Sequence, residues 1–408
     1  MSIKTKIKNG PLFPLLIYLQ YFIKRYFIRW EFRSFKLTKE IKLEAVDKGI
    51  TFFGYYNISP SNSNGDILYL KVNQENVRGS LVEAASIMLK NANGTISKIT
   101  ETKAWNWQQG CMLQWHPSNN NQIIFNDYDA ENDCYISKII DTTGKVLKVY
   151  DKPVNNVSKT GTYALSLNYD RLAVMRPDYG YFNRNNPSLP DNKNDGIWHI
   201  DFNTDQIKLI ITLDQLINLS WSPTMEGAMH KVNHIDINPL GTRFMFQHRW
   251  KGPKGRFMRL IIANPDGSNL KILNGDIMTS HSCWLNNSEI LSFCNYNGKV
   301  GYFKFNIQTS EVQFFSDKMP MLDGHPSISP DGKWIVTDTY PDKARFSSLY
   351  LYNMGNDSIK KIGEFYQPLR YKKEMRIDLH PKWGAGGNEI IIESGHCGKR
   401  QLFAIKLN

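Results

Sequence analysis

Cysteine is scarce in this 408-residue chain and unpatterned: Cys111, Cys134, Cys283, Cys294 and Cys397 make an odd set at long spacings, with no C-x-x-C. That excludes a disulfide framework and a thiolate zinc site, and leaves buried, reduced thiols as the expectation. Long apolar runs are missing too. The stretch from Pro11 to Ile23 stops at Lys24, too short to span a bilayer, and no small-x-small cleavage site follows it. There is no Walker loop, no G-x-S-x-G and no H-E-x-x-H, so nucleotide hydrolysis, serine-hydrolase and kinase chemistry have no local support. Helical periodicity is absent after Val46. The body also lacks a dense basic stripe. Of the net charge of +12, residues 1–40 carry nine Lys and Arg against two acids, so the remainder is only mildly basic and a nucleic-acid partner is not expected.

What is present is a repeat. Asp-Gly in GHPSISPDGKWIVTDTYPD (Gly324–Asp342) joins two strand-like runs, a strong hairpin signal. Related turns recur in Leu113–Asp127, Ile235–His248, Cys283–Cys294 and Leu379–Ser394. Seven units begin near Phe52, Trp105, Thr160, His230, Ser280, Gly324 and Arg376. The pattern predicts an all-β, seven-bladed β-propeller over 35–408. The last unit has three strands, and the strand-like segment Phe35–Val46 is expected to supply the fourth and close the ring. Residues 1–34 form a basic amphipathic arm. Read as a helix, Leu15, Leu16, Leu19, Phe22, Ile23, Tyr26, Phe27 and Trp30 share a face, with Lys24, Arg25 and Arg29 elsewhere. Residues 11–30 therefore suit contact with a membrane surface, or packing on the propeller. With unpaired cysteines and no convincing signal peptide, the expected location is the cytoplasm, at the inner face of a membrane. Two long insertions, Asp178–Asp195 and Leu213–Met229, stand where propeller loops carry function.

Aligned on Ile237, Trp284 and Ile328, three successive units place His234, His281 and His325 three residues earlier. Their strand lines the central channel, so the three converge near the axis at one mouth. In the seventh unit this alignment puts Arg376 at the equivalent position, with Asp378 and His380 just after. Such a cluster serves as a metal site or an acid–base group, or else caps the blades. Gln109 enters the second unit as a donor or weak ligand. Arg171, Arg176, Tyr179 and Tyr181 crowd one strand-to-loop junction in the third, where Arg forks match carboxylates and Tyr rings stack on sugars. His248, Arg249 and His396 fall at the other end of their strands and read as structural.

The S-H-x-x-W unit at Ser280–Trp284 and the H-P-S-x-S-P-D-G unit at His325–Gly332 resemble the oligogalacturonate lyases and, more loosely, the ulvan lyases. The resemblance implies a divalent metal (Mn, Ca or Zn) among His and Gln ligands on the axis, a His base and an assisting Arg. Position by position it assigns His281 and His325 to the metal and His234 to the base, with Arg176 as the assisting Arg. Tyr179 is a further acid–base candidate, and Gln109, Arg171, Tyr181 and Arg376 are candidate substrate contacts. No Gln precedes His325 closely; Met321 and Asp323 stand there, which leaves a fourth ligand to Gln109, Asp378 or His380. The implied activity is β-elimination on an acidic, uronate-containing oligosaccharide. The alternative is a carbohydrate- or protein-binding propeller without turnover that serves polysaccharide assembly at a membrane.

Overall fold

The computed structural model describes residues 13–29, 31–38, 41–184, 187–275 and 278–407, and Trp30 lies outside them. Seven antiparallel sheets follow one another along the chain and form a seven-bladed propeller. The inner two strands of the blades are Ile50–Phe52 with Ile67–Val72, Gln114–His116 with Asn119–Asp129, Asn156–Val157 with Tyr163–Leu167, Met229–Ile237 with Phe244–Gly252, Thr279–Trp284 with Glu289–Tyr296, Ser327–Ile328 with Trp334–Asp338, and Lys382–Trp383 with Glu389–Ser394. The Asp-Gly turn behaves as its chemistry requires: Asp331 Oδ1 accepts from Ser329 Oγ at 2.6 Å and Lys333 N at 3.1 Å, and Gly332 takes φ +71°.

Closure uses the N-terminal segment twice. Lys42–Ala45 pairs with Gln401–Lys406 and completes the seventh blade, as the three-strand count requires, whereas Phe35–Leu37 adds a fifth strand to the sixth. Both outer edges are thereby covered. At the seam, Glu393 Oε1 accepts from the backbone of Phe53 and Gly54, and its Oε2 accepts from Arg400 at 2.9 Å. Tryptophan indoles staple inner strands to the preceding blade: Trp115 donates to Pro60 O, Trp284 to Asp236 O and Trp383 to Ser327 O, each at 3.0 Å. Apolar side chains fill the space between blades, among them Phe52, Trp105, Phe125, Leu165, Phe246 and Ile261. Truncating such an aromatic costs about 3–5 kcal/mol.

Helix α1 (Phe13–Ile23) runs into one wider turn, Lys24–Ile28. Its cations turn toward the propeller and its apolar side turns outward. Arg25 is buried with its guanidinium 3.7 Å from the Tyr366 ring, and Arg29 pairs with Asp342 and Glu364, so the cations are spent on blade six. Leu15, Leu16, Leu19, Phe22 and Phe27 are left exposed. Among the described residues no helix is long and apolar enough to cross a membrane. All five cysteines are free; Cys111, Cys283 and Cys294 are buried, while Cys134 is half-buried and Cys397 exposed.

Candidate active site

Four histidines, not three, occupy the shared ring position. The inner strand of the seventh blade begins only at Lys382–Trp383, and Trp383 makes the same indole staple as Trp284. Counting three back from Trp383 gives His380, which corrects the assignment of Arg376 to that position. The inner strands bend there. Register shifts lie between Asn233 and Asp236 and between Thr279 and Ser282, so bulges present His234 and His281. His234 and His380 adopt φ +54° and +43°, a left-handed conformation costing about 1–3 kcal/mol each in a non-glycine residue.

The rings meet. His325 lies 4.0 Å from His281 and 4.4 Å from His380 between centroids, and His234 lies 6.1 Å from His281. Two neighbouring tyrosines of the first blade complete the layer. Tyr55 stacks on His234 at 5.0 Å, and Tyr56 packs on His281 and His325 while its hydroxyl donates to Ser282 O at 2.7 Å. Gly54 precedes them at φ +135°, and a Cβ there would lie 2.6 Å from the Gln109 carbonyl.

Carboxylates orient the imidazoles. Asp338 Oδ1 accepts from both His325 N and His325 Nδ1 at 2.8 Å, and its Oδ2 accepts from His380 N at 3.2 Å. Asp323 bonds His281 Nδ1 at 3.0 Å and accepts from Ser280 Oγ at 2.6 Å. Donor atoms of His325, Asp378 and His380 lie within 4.8 Å of one another, all buried, and His325 Nε2, His380 Nε2 and Asp378 Oδ1 have no hydrogen-bond partner among the described residues. Unpartnered, converging N and O donors in a buried site fit a divalent cation, and Asp338 supplies the oriented carboxylate–histidine pair that metal sites use. His281 lies outside this converging group, its Nδ1 taken by Asp323.

Burial pushes the imidazoles of His234 and His380 well below their ordinary range, aided by Arg249 at the first and His325 at the second, so both are neutral. Burial also lowers His281, with His325 adding to it. At His325 burial acts downward but is outweighed by Asp338, Asp378 and Asp323, which raise it. These carboxylates favour positive charge at that ring.

The remaining candidates divide. Tyr179 joins the cluster, 5.4 Å from His234 and 5.9 Å from Tyr55, with Arg376 Nη2 donating to its hydroxyl at 3.2 Å and Arg176 over its ring at 4.8 Å. Arg376 also donates to Asp378 at 2.7 Å and Asp178 at 2.5 Å, tying the mouth to the donor group. Arg171 is spent inside blade three, on Asp195 Oδ2 at 2.5 Å and the carbonyls of His230 and Pro190. It sits on helix α2 (Tyr169–Met175), capped by Asn168, where the sequence reading expected a strand-to-loop junction. Tyr181 stacks on Tyr169 at 4.3 Å and bonds Asn126, fully buried. Gln109 is buried in the turn behind Gly54, while its neighbour Gln108 donates to Arg376 O at 2.8 Å. Arg171 and Tyr181 are therefore packed away from the cluster, because their polar groups complete blade-to-blade contacts, whereas the buried Gln109 Oε1 has no hydrogen-bond partner among the described residues.

Sequence reasoning missed Tyr55, Tyr56, Asp338, Lys231 and Arg249. Arg249 was read as structural, yet it pairs across the hairpin with Lys231 and acts electrostatically on His234 and Tyr55. Its guanidinium is desolvated, which lowers it to about 10 with help from Arg176. Lys231 Nζ is buried without a hydrogen-bond partner among the described residues. The hairpin register itself held the signal: extending the Ser327–Val336 pairing sets Asp338 opposite His325.

No protein-family model matches the chain. The Tol-Pal system protein TolB of Francisella tularensis is 26% identical over 111 residues, which are 26% of this chain and 25% of TolB. The chain thus matches only about a quarter of the length of these curated relatives. Among solved structures, an oligogalacturonate lyase in complex with manganese superimposes with a TM-score of 0.63 at 16% identity, covering 92% of this chain and 96% of that one. The oligogalacturonate lyase of Vibrio parahaemolyticus gives 0.62 at 14% identity, covering 92% and 97%. A prolyl endopeptidase structure gives 0.51 at 11% identity, covering 98% of this chain and 56% of that one. The chain shares the fold of the oligogalacturonate lyases over nearly its whole length, and the resemblance carried by its histidine motifs holds at the level of fold.

Proposed function

We propose that the chain is a metal-assisted lyase that cleaves an acidic, uronate-containing oligosaccharide by β-elimination. The observation that carries this reading is the buried, converging group of His325, Asp378 and His380, each with one donor atom unpartnered among the described residues, beside Arg176, Arg376 and Tyr179. The fold likeness to a manganese-bound oligogalacturonate lyase supports it. His325, Asp378 and His380 would hold the ion, with His281 beside them. The mixed imidazole and carboxylate set suits manganese or zinc better than calcium, which prefers all-oxygen sites. A divalent ion there supplies positive charge that neutralises the substrate carboxylate and acidifies the adjacent C–H.

The chain's own groups do the rest. Arg176 and Arg376 orient the carboxylate at the mouth. His234, neutral at physiological pH, takes the proton at Nδ1, the ring nitrogen without a hydrogen-bond partner among the described residues, while Asn233 and Tyr55 engage Nε2 at 3.2 and 3.4 Å. The electron pair of the C–H bond forms the C=C bond as the C–O bond to the next sugar breaks. Tyr179, held by Arg376, donates the proton to the departing oxygen. Buried tyrosines keep water from the reacting carbon. We place the enzyme in the cytoplasm, with the exposed apolar side of α1 contacting a membrane surface.

A second reading, a binding propeller without turnover, draws on the near-complete burial of the donor group. An ultraviolet assay for unsaturated uronate on metal-loaded protein separates the two. The lyase reading expects absorbance to rise with an oligogalacturonate or related uronate oligomer, and to fall about 10²–10⁴-fold in His234→Ala. Sugar binding with no absorbance change contradicts it and favours the second.

A further inference from the structure

Blade four carries a second polar arrangement beside the histidine layer. In its inner hairpin Lys231 stands directly opposite Arg249, and on the next rung Asn233 stands opposite Gln247. Residues two apart on a strand share a face, so both rungs look the same way. That face adjoins His234: Asn233 Nδ2 meets His234 Nε2 at 3.2 Å, and Gln247 Oε1 accepts from Arg249 Nε at 2.7 Å. Gln247 is itself fixed, since its Nε2 donates to the carbonyls of Thr279 and Ser280 in blade five. Arg249 acts electrostatically on Tyr55, Tyr179 and Tyr340, which come from blades one, three and six, so its guanidinium stands near the axis.

Two basic groups directly opposite each other repel when both are charged, unless a counter-charge joins them. Among the described residues no carboxylate pairs with either. Lys231 is 5% exposed, and its Nζ has no hydrogen-bond partner among the described residues. Arg249 is half-buried, and its bond to Gln247 leaves the two outer nitrogens of the fork without a partner among the described residues. The acids nearby are already engaged: Asp178 by Arg176 and Arg376, Asp378 by Arg376, and Asp323 by Ser280 and His281. Burial, with Arg249 and Arg176 adding to it, pushes the Lys231 ammonium well below its ordinary range, so an incoming anion brings a proton onto it. An unpaired guanidinium backed by a buried amine without a partner is complementary to negative charge, and the fork matches paired oxygens.

We propose that Arg249 and Lys231 form an oxyanion-binding site beside the histidine layer, with Arg249 in contact with the anion and Lys231 reinforcing it from the opposite strand. The oxyanion is an acid substituent of a bound sugar or a free inorganic anion. The site does not depend on turnover or on a bound metal.

Calorimetric titration of the full chain with sodium sulfate, at an ionic strength held constant with sodium chloride, tests it. Sulfate is expected to saturate at one equivalent, and Arg249→Gln should weaken it at least ~10-fold. Lys231→Met should weaken it too. In sulfate-free buffer the same variant should melt higher than the parent, because an apolar side chain of similar length replaces a buried amine without a partner. Binding near neutral pH should take up protons in the parent and not in Lys231→Met, read from the heats in two buffers of different ionisation enthalpy. His325→Ala should bind sulfate as the parent does, which separates this site from the metal group. Competition between sulfate and digalacturonate assigns the oxyanion to a sugar acid, and sulfate saturation without competition assigns it to a free anion. Either result is independent of whether the ultraviolet assay detects a lyase. Absence of sulfate saturation, undiminished affinity in Arg249→Gln, or a Lys231→Met variant that melts lower and binds sulfate unchanged would each overturn the proposal.

Discussion

Asp338 Oδ1 receives both the backbone and the ring hydrogen of His325, and Oδ2 receives the backbone hydrogen of His380. One carboxylate thus sets the position of two imidazoles whose outer nitrogens have no partner among the described residues. Asp338→Asn keeps the shape but removes the charge and one acceptor. It is expected to weaken divalent-metal binding about 10–100-fold, measured by competition with a chromogenic chelator, and to lower the melting temperature by a few degrees because its amide N–H faces the His380 N–H. Unaltered affinity would show that the carboxylate only stabilises the blade. Residues of this kind set the limit of legibility. His234, His281 and His325 were readable because a repeat fixes their spacing. His380 escaped that position because the seventh unit was aligned on Arg376 and not on Trp383, whose indole staple marks the inner strand only in the folded ring. Tyr55 and Tyr56 follow an irregular segment with no counterpart in the other units, so nothing in the sequence marked them.

Strands were legible as elements because each is punctuated by Asn, Asp, Gly or Pro. Helix α2 was not, since its seven residues make barely two turns and its cap, Asn168, sits inside a run that also suits a strand end. Two buried histidines outside the site give the elements an acid sensitivity. His230, bonded to His248 between the inner strands of blade four, is lowered to about 4 by burial. His396, ringed by Phe35, Phe365 and Phe403, is also lowered to about 4 by burial. Their folded values lie below the unfolded one near 6.5, so the unfolded chain binds more protons between about pH 6.5 and 4. Stability therefore falls as pH drops through that window and levels off below it, by up to about 3 kcal/mol per histidine. Urea unfolding across this range checks the expectation, and His396→Gln should flatten part of the slope. A midpoint unchanged by either the pH or the substitution contradicts it.

For the molecule as a whole, the ring is one cooperative object whose seam lies between the last blade and the first. Removing residues 1–34 leaves both closing strands and should change the melting temperature little, since the surface ion pairs of Arg29 are worth only about 1 kcal/mol each. Removing residues 1–46 strips Phe35–Leu37 and Lys42–Ala45 together and bares two sheet edges. Melting should then fall by about 5–10 °C, with aggregation. Equal stability of the two truncations would contradict the observed closure. The site depends on the same ring, because its four histidines come from four blades and its two tyrosines from a fifth. The central claim is that this convergence holds a metal. Elemental analysis of the purified full chain, beside a folded variant carrying His325→Ala and His380→Ala, tests it most directly. The account predicts about one equivalent of manganese or zinc in the parent after loading and dialysis, and none in the variant. A parent that retains no divalent metal, or a variant that retains as much, would contradict it.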